Sequence, residues 1–252
     1  MTVVFKDAYK TYDNRNYYYV PNEGVLAWRN LLKRIPIYRA AAICSSGEIG
    51  LFSILPLVRR ELVLVDHSYG SLKVAMMKYI LLEIKGAEET YRLFTRASEN
   101  ELLGEVMKLR HLLPDRVCAS DVSMVSKGAQ YRYKKEWNNI PQKLSKKAVT
   151  KLGRVRFVHG DIMDLAEEGK FGLLYISNAL EHLNRHRESL IIRIEQIESL
   201  INPGGYVVIA THPNDNYENK LLAKRGWKLI DSVIFDGSIS WAQSLYKPPV
   251  VA

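Results

Sequence analysis

Residues 40–50 read AAAICSSGEIG, an apolar run that ends in a turn of small residues. The apolar run has the length of a buried strand, and glycine in the turn lets a ligand approach the backbone closely. Serines stand where a dinucleotide-binding loop usually has glycines, so a pyrophosphate cradle has little support. The stretch therefore predicts a loop for a nucleotide-like ligand that lacks phosphates. We predict that this ligand contacts the following turn residues: Ser45, Ser46, Gly47, Glu48 and Gly50.

Outward from this turn, strand-like apolar runs alternate with helical patterns. The run 61–65 precedes an amphipathic pattern over 71–86, and further strand-like runs occupy 155–158, 171–177 and 206–211. This alternation predicts an α/β fold, with a Rossmann-like, doubly wound and mostly parallel sheet. In such a sheet the ligand binds at the carboxyl ends of the strands, which meet at one edge.

The chain is predicted to form a single domain, 1–252, with two additions to the alternating pattern. Residues 1–36 are expected to form an N-terminal arm and a helix, and the tyrosine-rich arm shows no regular period. Residues 87–150 are expected to form a helical and basic insertion after the second strand and its helix. Gly86 is a plausible stop for that helix, and INPGG at 201–205 is expected to form a turn.

Composition and charge restrict the class of protein. Of the 252 residues, 47% are hydrophobic and 25% are charged, which suits a chain with a buried core. No stretch approaches the roughly 20 apolar residues of a membrane span. Two distant cysteines indicate a reducing compartment, so we expect a cytoplasmic protein.

The net charge of +9 is concentrated in one segment. Residues 127–156 contain ten Lys and Arg residues against one acid, with aromatic residues between them. This segment is either a solvated surface or a docking surface for an anionic partner, such as a membrane surface or RNA.

Polar residues follow the second and third predicted strands. Asp66 comes 19 positions after Gly47, close to the separation at which an acid accepts the ribose hydroxyls of an adenosine group. His67 either flanks the adenine or is an exposed loop residue. Asp161 can accept from the exocyclic amine of adenine, with Ile162 against the ring. Either aspartate is alternatively a helix N-cap.

The fourth predicted strand ends in Ser177 and Asn178, which we also expect to contact the ligand. His182 lies one turn into the following helix and is either a general base or a structural histidine. His182 and His186 have metal-ligand spacing, but the pattern H-E-x-x-H is absent, so we predict no metal. Glu48 either pairs with an ammonium group of the ligand or stabilises a helix dipole.

Taken together, residues 38–212 resemble the class I S-adenosylmethionine-dependent transferases. Two stretches, 44–55 and 66–94, resemble more narrowly the betaine-lipid 3-amino-3-carboxypropyltransferases. The second stretch includes a long helix with the central Lys78 and a closing Arg-Leu-Phe at 92–94. The chain departs from that family directly after the acid, where the family usually has Asn-Pro.

The resemblance implies S-adenosylmethionine as cofactor and transfer of its 3-amino-3-carboxypropyl group to a small or lipid-like acceptor, with release of methylthioadenosine. A methyltransferase acting on a small molecule or RNA is the alternative. Lyase-type or hydrolytic cleavage of the cofactor, or a non-catalytic anion-binding module, are further alternatives. A hydroxyl or amine acceptor needs a base, for which the candidates are His182, Tyr18 and Glu48.

Overall fold

The structure, a computed structural model, covers the fold and one edge of the predicted site. It describes residues 2–5, 32, 34–45, 47, 49–95, 97–113, 154–176, 187–211, 216–235 and 241–250. None of the helices within these ranges is both long enough and apolar enough to cross a membrane.

The described residues form one sheet of eight strands. The strands are β1 (Thr2–Phe5), β2 (Ile37–Ile43), β3 (Val58–Asp66), β4 (Arg154–His159), β5 (Phe171–Tyr175), β6 (Ile201–Thr211), β7 (Lys228–Phe235) and β8 (Trp241–Lys247). Their order across the sheet is β1-β4-β3-β2-β5-β6-β8-β7. Strands β1 to β6 pair in parallel, and β8 runs antiparallel to both β6 and β7. The predicted α/β fold with a doubly wound, mostly parallel sheet is confirmed.

The strand order reverses between β2 and β5. From β2 the chain builds outward through β3 to β4, and it then returns to place β5 on the other side of β2. Ala40 to Ala42 of β2 pair in parallel with Leu173 to Tyr175 of β5. Ligands of doubly wound sheets bind outside the carboxyl ends of the strands at such a reversal, because the flanking loops diverge there.

Helices cover both faces of the sheet. They are α1 (Tyr69–Thr95), α2 (Glu99–Lys108), α3 (Arg187–Leu200) and α4 (Asn216–Lys224). A π-helix (Ile49–Ile54) and a 3-10 helix (Leu55–Leu57) follow the first turn, and further 3-10 helices occupy Arg110–Leu112 and Ile162–Glu168. Leu62 and Leu64 of β3 join the core on the α1 face, whereas Val63 and Val65 join the core on the α3 face. The carboxyl-terminal parts of the inner strands are therefore apolar on both sides, which explains the apolar runs in the sequence.

Gly86 divides α1 into two helical parts. Its φ of 80° and ψ of 173° are not helical, so the first part ends there, as the sequence predicts. Glycine adopts a positive φ readily, since it has no Cβ.

Two expectations about irregular segments are wrong. Residues 2–5, expected in an irregular arm, form β1, which pairs in parallel with β4 from Thr2↔Arg156 to Phe5↔His159. The INPGG segment is not a turn between elements, since it lies inside β6. Between the pairs Phe171↔Ile201 and Leu173↔Tyr206, β6 advances five residues and β5 only two, so the segment forms a bulge.

Candidate functional site

Asp66, the last residue of β3, connects the loops that follow three neighbouring strands. Its carboxylate accepts hydrogen bonds from the backbone N–H of Ser45 to Oδ2 (2.8 Å) and of Ser68 to Oδ1 (2.9 Å). Its backbone carbonyl accepts a third hydrogen bond, from the N–H of Gly160 (3.0 Å). Because these residues follow β2, β3 and β4 respectively, Asp66 fixes the loops at the carboxyl ends of all three strands.

Two of the described residues in the turn after β2 have a positive φ, Ser45 at 50° and Gly47 at 86°. The Gly47 N–H donates to the carbonyl of Cys44 (2.7 Å), and the Leu51 N–H donates to the carbonyl of Gly47 (2.8 Å). A Cβ on Gly47 would lie 2.7 Å from the Cβ of Ala75 in α1. Glycine is therefore required at position 47 both by its backbone angle and by the close approach of the turn to α1.

Gly50 has a packing role in the structure. It lies in the buried π-helix, and a Cβ there would collide with Cδ2 of Leu64 in β3. The glycine thus lets the π-helix pack against the sheet, as the last glycine of a nucleotide-binding loop does. Direct contact between Gly50 and a ligand stays a prediction.

The Asp66 carboxyl is desolvated, with only 7% of the residue exposed. Burial raises its pKa from 3.8 to about 6, while the Ser68 hydrogen bond, the adjacent His67 and the Ser45 hydrogen bond act in the opposite direction. Nδ1 of His67 lies 3.8 Å from Oδ1 of Asp66, and 69% of the His67 side chain is exposed. The site therefore combines a buried acid, ionised at neutral pH, with an imidazole open to solvent beside it.

His159 supports this edge from the neighbouring strand. It ends β4, is the register partner of Asp66 and is buried. Its Nε2 donates to the carbonyl of His67 (2.9 Å), and its ring centroid lies 5.6 Å from that of Tyr69. Burial lowers the pKa of His159, so its imidazole is neutral at neutral pH. Sequence reasoning missed this residue, although it follows an apolar strand just as Asp66 does.

Asp161 is the N-cap of the 3-10 helix Ile162–Glu168. Its Oδ1 accepts from the N–H of Met163 (2.9 Å), and its own N–H donates to Oδ2 of Asp164 (2.7 Å), which completes a capping box. Nη1 of Arg193, on α3, also donates to Oδ1 of Asp161 (2.8 Å). The N-cap alternative is thus observed. Contact between Asp161 and an adenine amine stays a prediction, which a carboxylate with several lone pairs permits.

Ile162 is buried in the apolar layer that includes residues of α3. The other predicted site residues lie outside the described residues: Tyr18, Ser46, Glu48, Ser177, Asn178 and His182. Of the basic segment 127–156, only 154–156 are described. Within the described ranges, no group of three or more His, Cys, Asp or Glu residues could hold a metal ion.

Lys78 is buried in the first part of α1, and its Nζ lies 5.1 Å from the ring centroid of Phe94 in the second part. This distance is within the range of a cation–π contact. The two features that the 66–94 stretch shares with the betaine-lipid enzymes, the central Lys and the closing Arg-Leu-Phe, therefore meet across Gly86.

The Rossmann-like fold is shared with solved structures of a methyltransferase. One is the N-methyltransferase NodS from Bradyrhizobium japonicum WM9 in complex with S-adenosyl-L-homocysteine, with a TM-score of 0.51 and 10% identity over 89% of this chain and 84% of NodS. A second NodS structure has the same TM-score and identity, over 89% of this chain and 92% of that one. At this identity the likeness shows the fold alone. No protein-family model matches the chain, and no curated protein matches it.

Proposed function

We propose that this chain is an S-adenosylmethionine-dependent transferase that binds the cofactor at the carboxyl ends of β2, β3 and β4. The observation that carries the proposal is Asp66, a buried carboxylate that joins three loops at the edge where doubly wound sheets bind ligands. The fold likeness to NodS, which was solved with S-adenosyl-L-homocysteine, supports the same choice of cofactor.

The groups around Asp66 fit an adenosyl group without phosphates. An ionised carboxylate has about four lone-pair positions, so two backbone donors leave room for the two ribose hydroxyls. The exposed His67 ring lies beside the carboxylate and is available to pack on the adenine. Gly47, which has a positive φ, lies close to Ala75 of α1. The lack of a side chain at this position therefore lets the turn pack against the helix. In our proposal Asp161 and Ile162 contact the adenine.

S-adenosylmethionine supplies a sulfonium that makes its methyl carbon and its γ-carbon electrophilic. The protein then has to hold an acceptor in line with one of these carbons, and such positioning accounts for a large part of the rate. A hydroxyl or amine acceptor also has to lose a proton to a nearby base. We propose His182, Tyr18 and Glu48 as candidates for that base, with Glu48 alternatively pairing with the ammonium group of the cofactor.

Transfer of the 3-amino-3-carboxypropyl group to a small or lipid-like acceptor is our preferred reaction. Its support is the resemblance of the turn and of the 66–94 stretch to the betaine-lipid enzymes, and the contact between Lys78 and Phe94 joins two features of that stretch. Methyl transfer is the second candidate, favoured by the fold likeness to an N-methyltransferase.

The nucleoside product separates the candidates. The purified protein is incubated with S-adenosylmethionine, with and without cell extract as a source of acceptors, and products are identified by mass spectrometry. Methylthioadenosine formed only with extract supports our preferred reaction, and methylthioadenosine formed without extract indicates lyase-type or hydrolytic cleavage. S-adenosylhomocysteine indicates methyl transfer. Absence of both products, together with absence of S-adenosylhomocysteine binding in calorimetry, would overturn the proposal.

A further inference from the structure

Four exposed cations and an exposed tyrosine lie at the amino ends of β2, β3 and β5. We call this group the amino-end surface, and it consists of Arg34, Tyr38, Arg59, Arg60 and Lys170. The four cationic residues are exposed, and Tyr38 is 58% exposed. Aromatic residues and arginine are both enriched at binding surfaces.

The strand register brings these residues together. Ile37 pairs with Val58 and Arg39 pairs with Glu61, so Tyr38 lies opposite two residues of β3, Arg59 and Arg60. The Arg60 guanidinium carbon lies 5.9 Å from the centroid of the Tyr38 ring.

The remaining two cations lie at the borders of the same surface. Arg34 lies three positions before the start of β2, and Lys170 directly precedes β5, whose Gly172 faces the backbone of Tyr38 and Arg39. The surface therefore spans the starts of three neighbouring strands.

The charges of the amino-end surface are not neutralised by the neighbouring acids. Within the described residues, no carboxylate lies within 4.0 Å of the cationic groups of Arg34, Arg59, Arg60 or Lys170. The acids of this end are paired instead with two inner arginines: Glu61 and Glu168 bind Arg39 and Arg156. Among the described residues, the outer cations are therefore exposed and have no carboxylate partner.

We propose that the amino-end surface binds a single-stranded nucleic acid. Arginine guanidinium groups match the geometry of phosphate oxygens, so Arg34, Arg59 and Arg60 would hold the backbone of the strand. An unpaired base can stack on Tyr38, whose ring is already flanked by Arg60, and such stacking tolerates any base. An anionic membrane offers the same charge but no ring to stack on Tyr38, so the exposed tyrosine favours nucleic acid.

This surface is separate from the proposed cofactor site. Tyr38 lies at the start of β2 and Ser45 just after its end, a separation of about 23 Å along an extended strand. The inference therefore does not rest on the proposed function. Variants of the amino-end surface should bind S-adenosylhomocysteine as the wild type does, so failure of one proposal is distinguishable from failure of the other.

Fluorescence anisotropy tests the inference with labelled oligouridine and oligothymidine of about 12 nucleotides, a length within the site sizes of single-strand-binding folds. The first variant combines Arg34→Gln, Arg59→Gln and Arg60→Gln. Its matched control combines Lys220→Gln, Lys224→Gln and Lys228→Gln, which removes the same charge from exposed positions on α4 and β7. The two oligonucleotides distinguish RNA from DNA as the preferred ligand.

We expect the arginine variant to weaken binding by at least about tenfold, and to reduce the slope of log affinity against log salt by about 2, because each lost phosphate contact contributes about 0.7. The lysine control should stay close to the wild type. Equal weakening by both triple variants would overturn the inference, since net charge alone would then explain binding.

Tyr38 provides a second test that does not change charge. We expect Tyr38→Ala to weaken binding by about tenfold and Tyr38→Phe to leave it unchanged, because stacking needs only the ring. Thermal unfolding checks that each variant is folded. No effect of Tyr38→Ala, or binding to anionic lipid vesicles without binding to either oligonucleotide, would overturn the inference.

Discussion

The two ends of β2, β3 and β4 are both held together by carboxylates, but they compensate the negative charge differently. At the amino ends, Glu61 lies between two arginines, with Nε of Arg39 at 2.8 Å and Nε of Arg156 at 3.2 Å, and Glu168 contacts the same two arginines. These side chains are partly exposed. At the carboxyl ends, Asp66 is buried and accepts hydrogen bonds from backbone N–H groups.

This difference indicates that the carboxylates at the amino ends stabilise the fold, whereas the carboxylate at the carboxyl ends is available to bind a cofactor. At the amino ends, the hydrogen bonds that Arg156 donates to Glu168 and the charges of both glutamates raise the pKa of Arg156. Burial instead raises the pKa of Asp66 to about 6. At neutral pH its ionised form is disfavoured in the folded chain by about 3 kcal/mol, at about 1.4 kcal/mol per pKa unit. A cost of this kind is typical of functional sites.

Replacement of Asp66 should separate binding from stability most clearly. We expect Asp66→Asn to weaken S-adenosylhomocysteine binding by about 100-fold, because the hydrogen bonds that we propose from the ribose to a charged acceptor would be lost. The free energy of unfolding near neutral pH should change by no more than about 1 kcal/mol, since removal of the ionised form offsets the loss of one acceptor. Calorimetry and chemical denaturation measure the two quantities.

The exposed Asp231 on β7 provides the control, because Asp231→Asn removes the same charge far from the loops that Asp66 joins. Unchanged binding in Asp66→Asn would contradict the role of this carboxylate. If Asp66→Asn is less stable but its folded form binds with unchanged affinity, then Asp66 stabilises the fold, as Glu61 and Glu168 do at the amino ends.

Replacement of Glu61 should have the opposite outcome. Glu61→Gln leaves Arg39 and Arg156 with one shared carboxylate, and we expect the free energy of unfolding to fall by about 2 kcal/mol. Affinity for S-adenosylhomocysteine should stay at the wild-type level, since Glu61 lies at the opposite end of β3. Glu101→Gln is the control: Glu101 also binds an arginine, Arg92, but both are exposed, so about 0.5 kcal/mol or less is expected.

The sequence predicts those strands of the sheet that contain a local run of apolar residues. The carboxyl-terminal parts of β2 and β3 and most of β5 are buried, so they form apolar runs, and Asp66 follows one of these runs directly. β1 escaped prediction because its four residues gain their stability from β4, more than 140 positions along the chain. The bulge in β6 was missed because Pro-Gly-Gly has the same local preference in a turn and in a bulge.

The polar contacts of the site are predictable only in part. The position of Asp66 follows from strand length and from its distance to Gly47. The bonds that its carboxylate makes to Ser45 and Ser68 depend on how the loops converge, which no local pattern encodes. The pairing of Arg193 with Asp161 joins a helix to a loop 32 positions earlier, so neither residue type alone indicates it.

The effect of pH on S-adenosylhomocysteine binding is expected to be smaller than that of Asp66→Asn. With a pKa of about 6 in the folded protein, Asp66 is ionised in roughly nine molecules of ten at pH 7 and in roughly one of ten at pH 5. In our proposal the ribose hydroxyls donate to the ionised form, so affinity for S-adenosylhomocysteine should fall by about tenfold over this interval. Calorimetry at several pH values measures the change, and Asp66→Asn should remove it.

The same shift has the opposite sign for stability. Because the folded pKa of Asp66 is raised, its contribution to stability is complete below pH 3.8 and is lost as the pH rises through about 6. Lower pH therefore weakens binding while it removes the cost of the buried carboxylate. If the affinity of Asp66→Asn for S-adenosylhomocysteine also falls between pH 7 and pH 5, another group is responsible for the pH dependence of binding.

The smallest expected effect concerns Arg193, which contacts Asp161 without reaching the sheet edge itself. Nη1 of Arg193 binds Oδ1 of Asp161 at 2.8 Å, so the guanidinium fixes the carboxylate that we propose for the adenine amine. We expect Arg193→Met to weaken S-adenosylhomocysteine binding by about threefold to fivefold, within the range for a lost charge-assisted hydrogen bond at a partly exposed site.

If Arg193 positions Asp161, its replacement should change the preference of the site for an adenine over a hypoxanthine base. If Arg193 only stabilises the fold, this preference should not change. S-inosylhomocysteine has a carbonyl where adenine has its amine, so a fixed Asp161 carboxylate should favour the adenosyl compound. Arg193→Met should narrow this preference, and Arg193→Lys, which keeps the positive charge, should restore part of it. If Arg193→Met lowers the melting temperature but leaves the ratio of the two affinities unchanged, Arg193 stabilises the packing of α3 and does not position Asp161. In that case the capping-box contacts with Met163 and Asp164 would be sufficient to hold the Asp161 carboxylate.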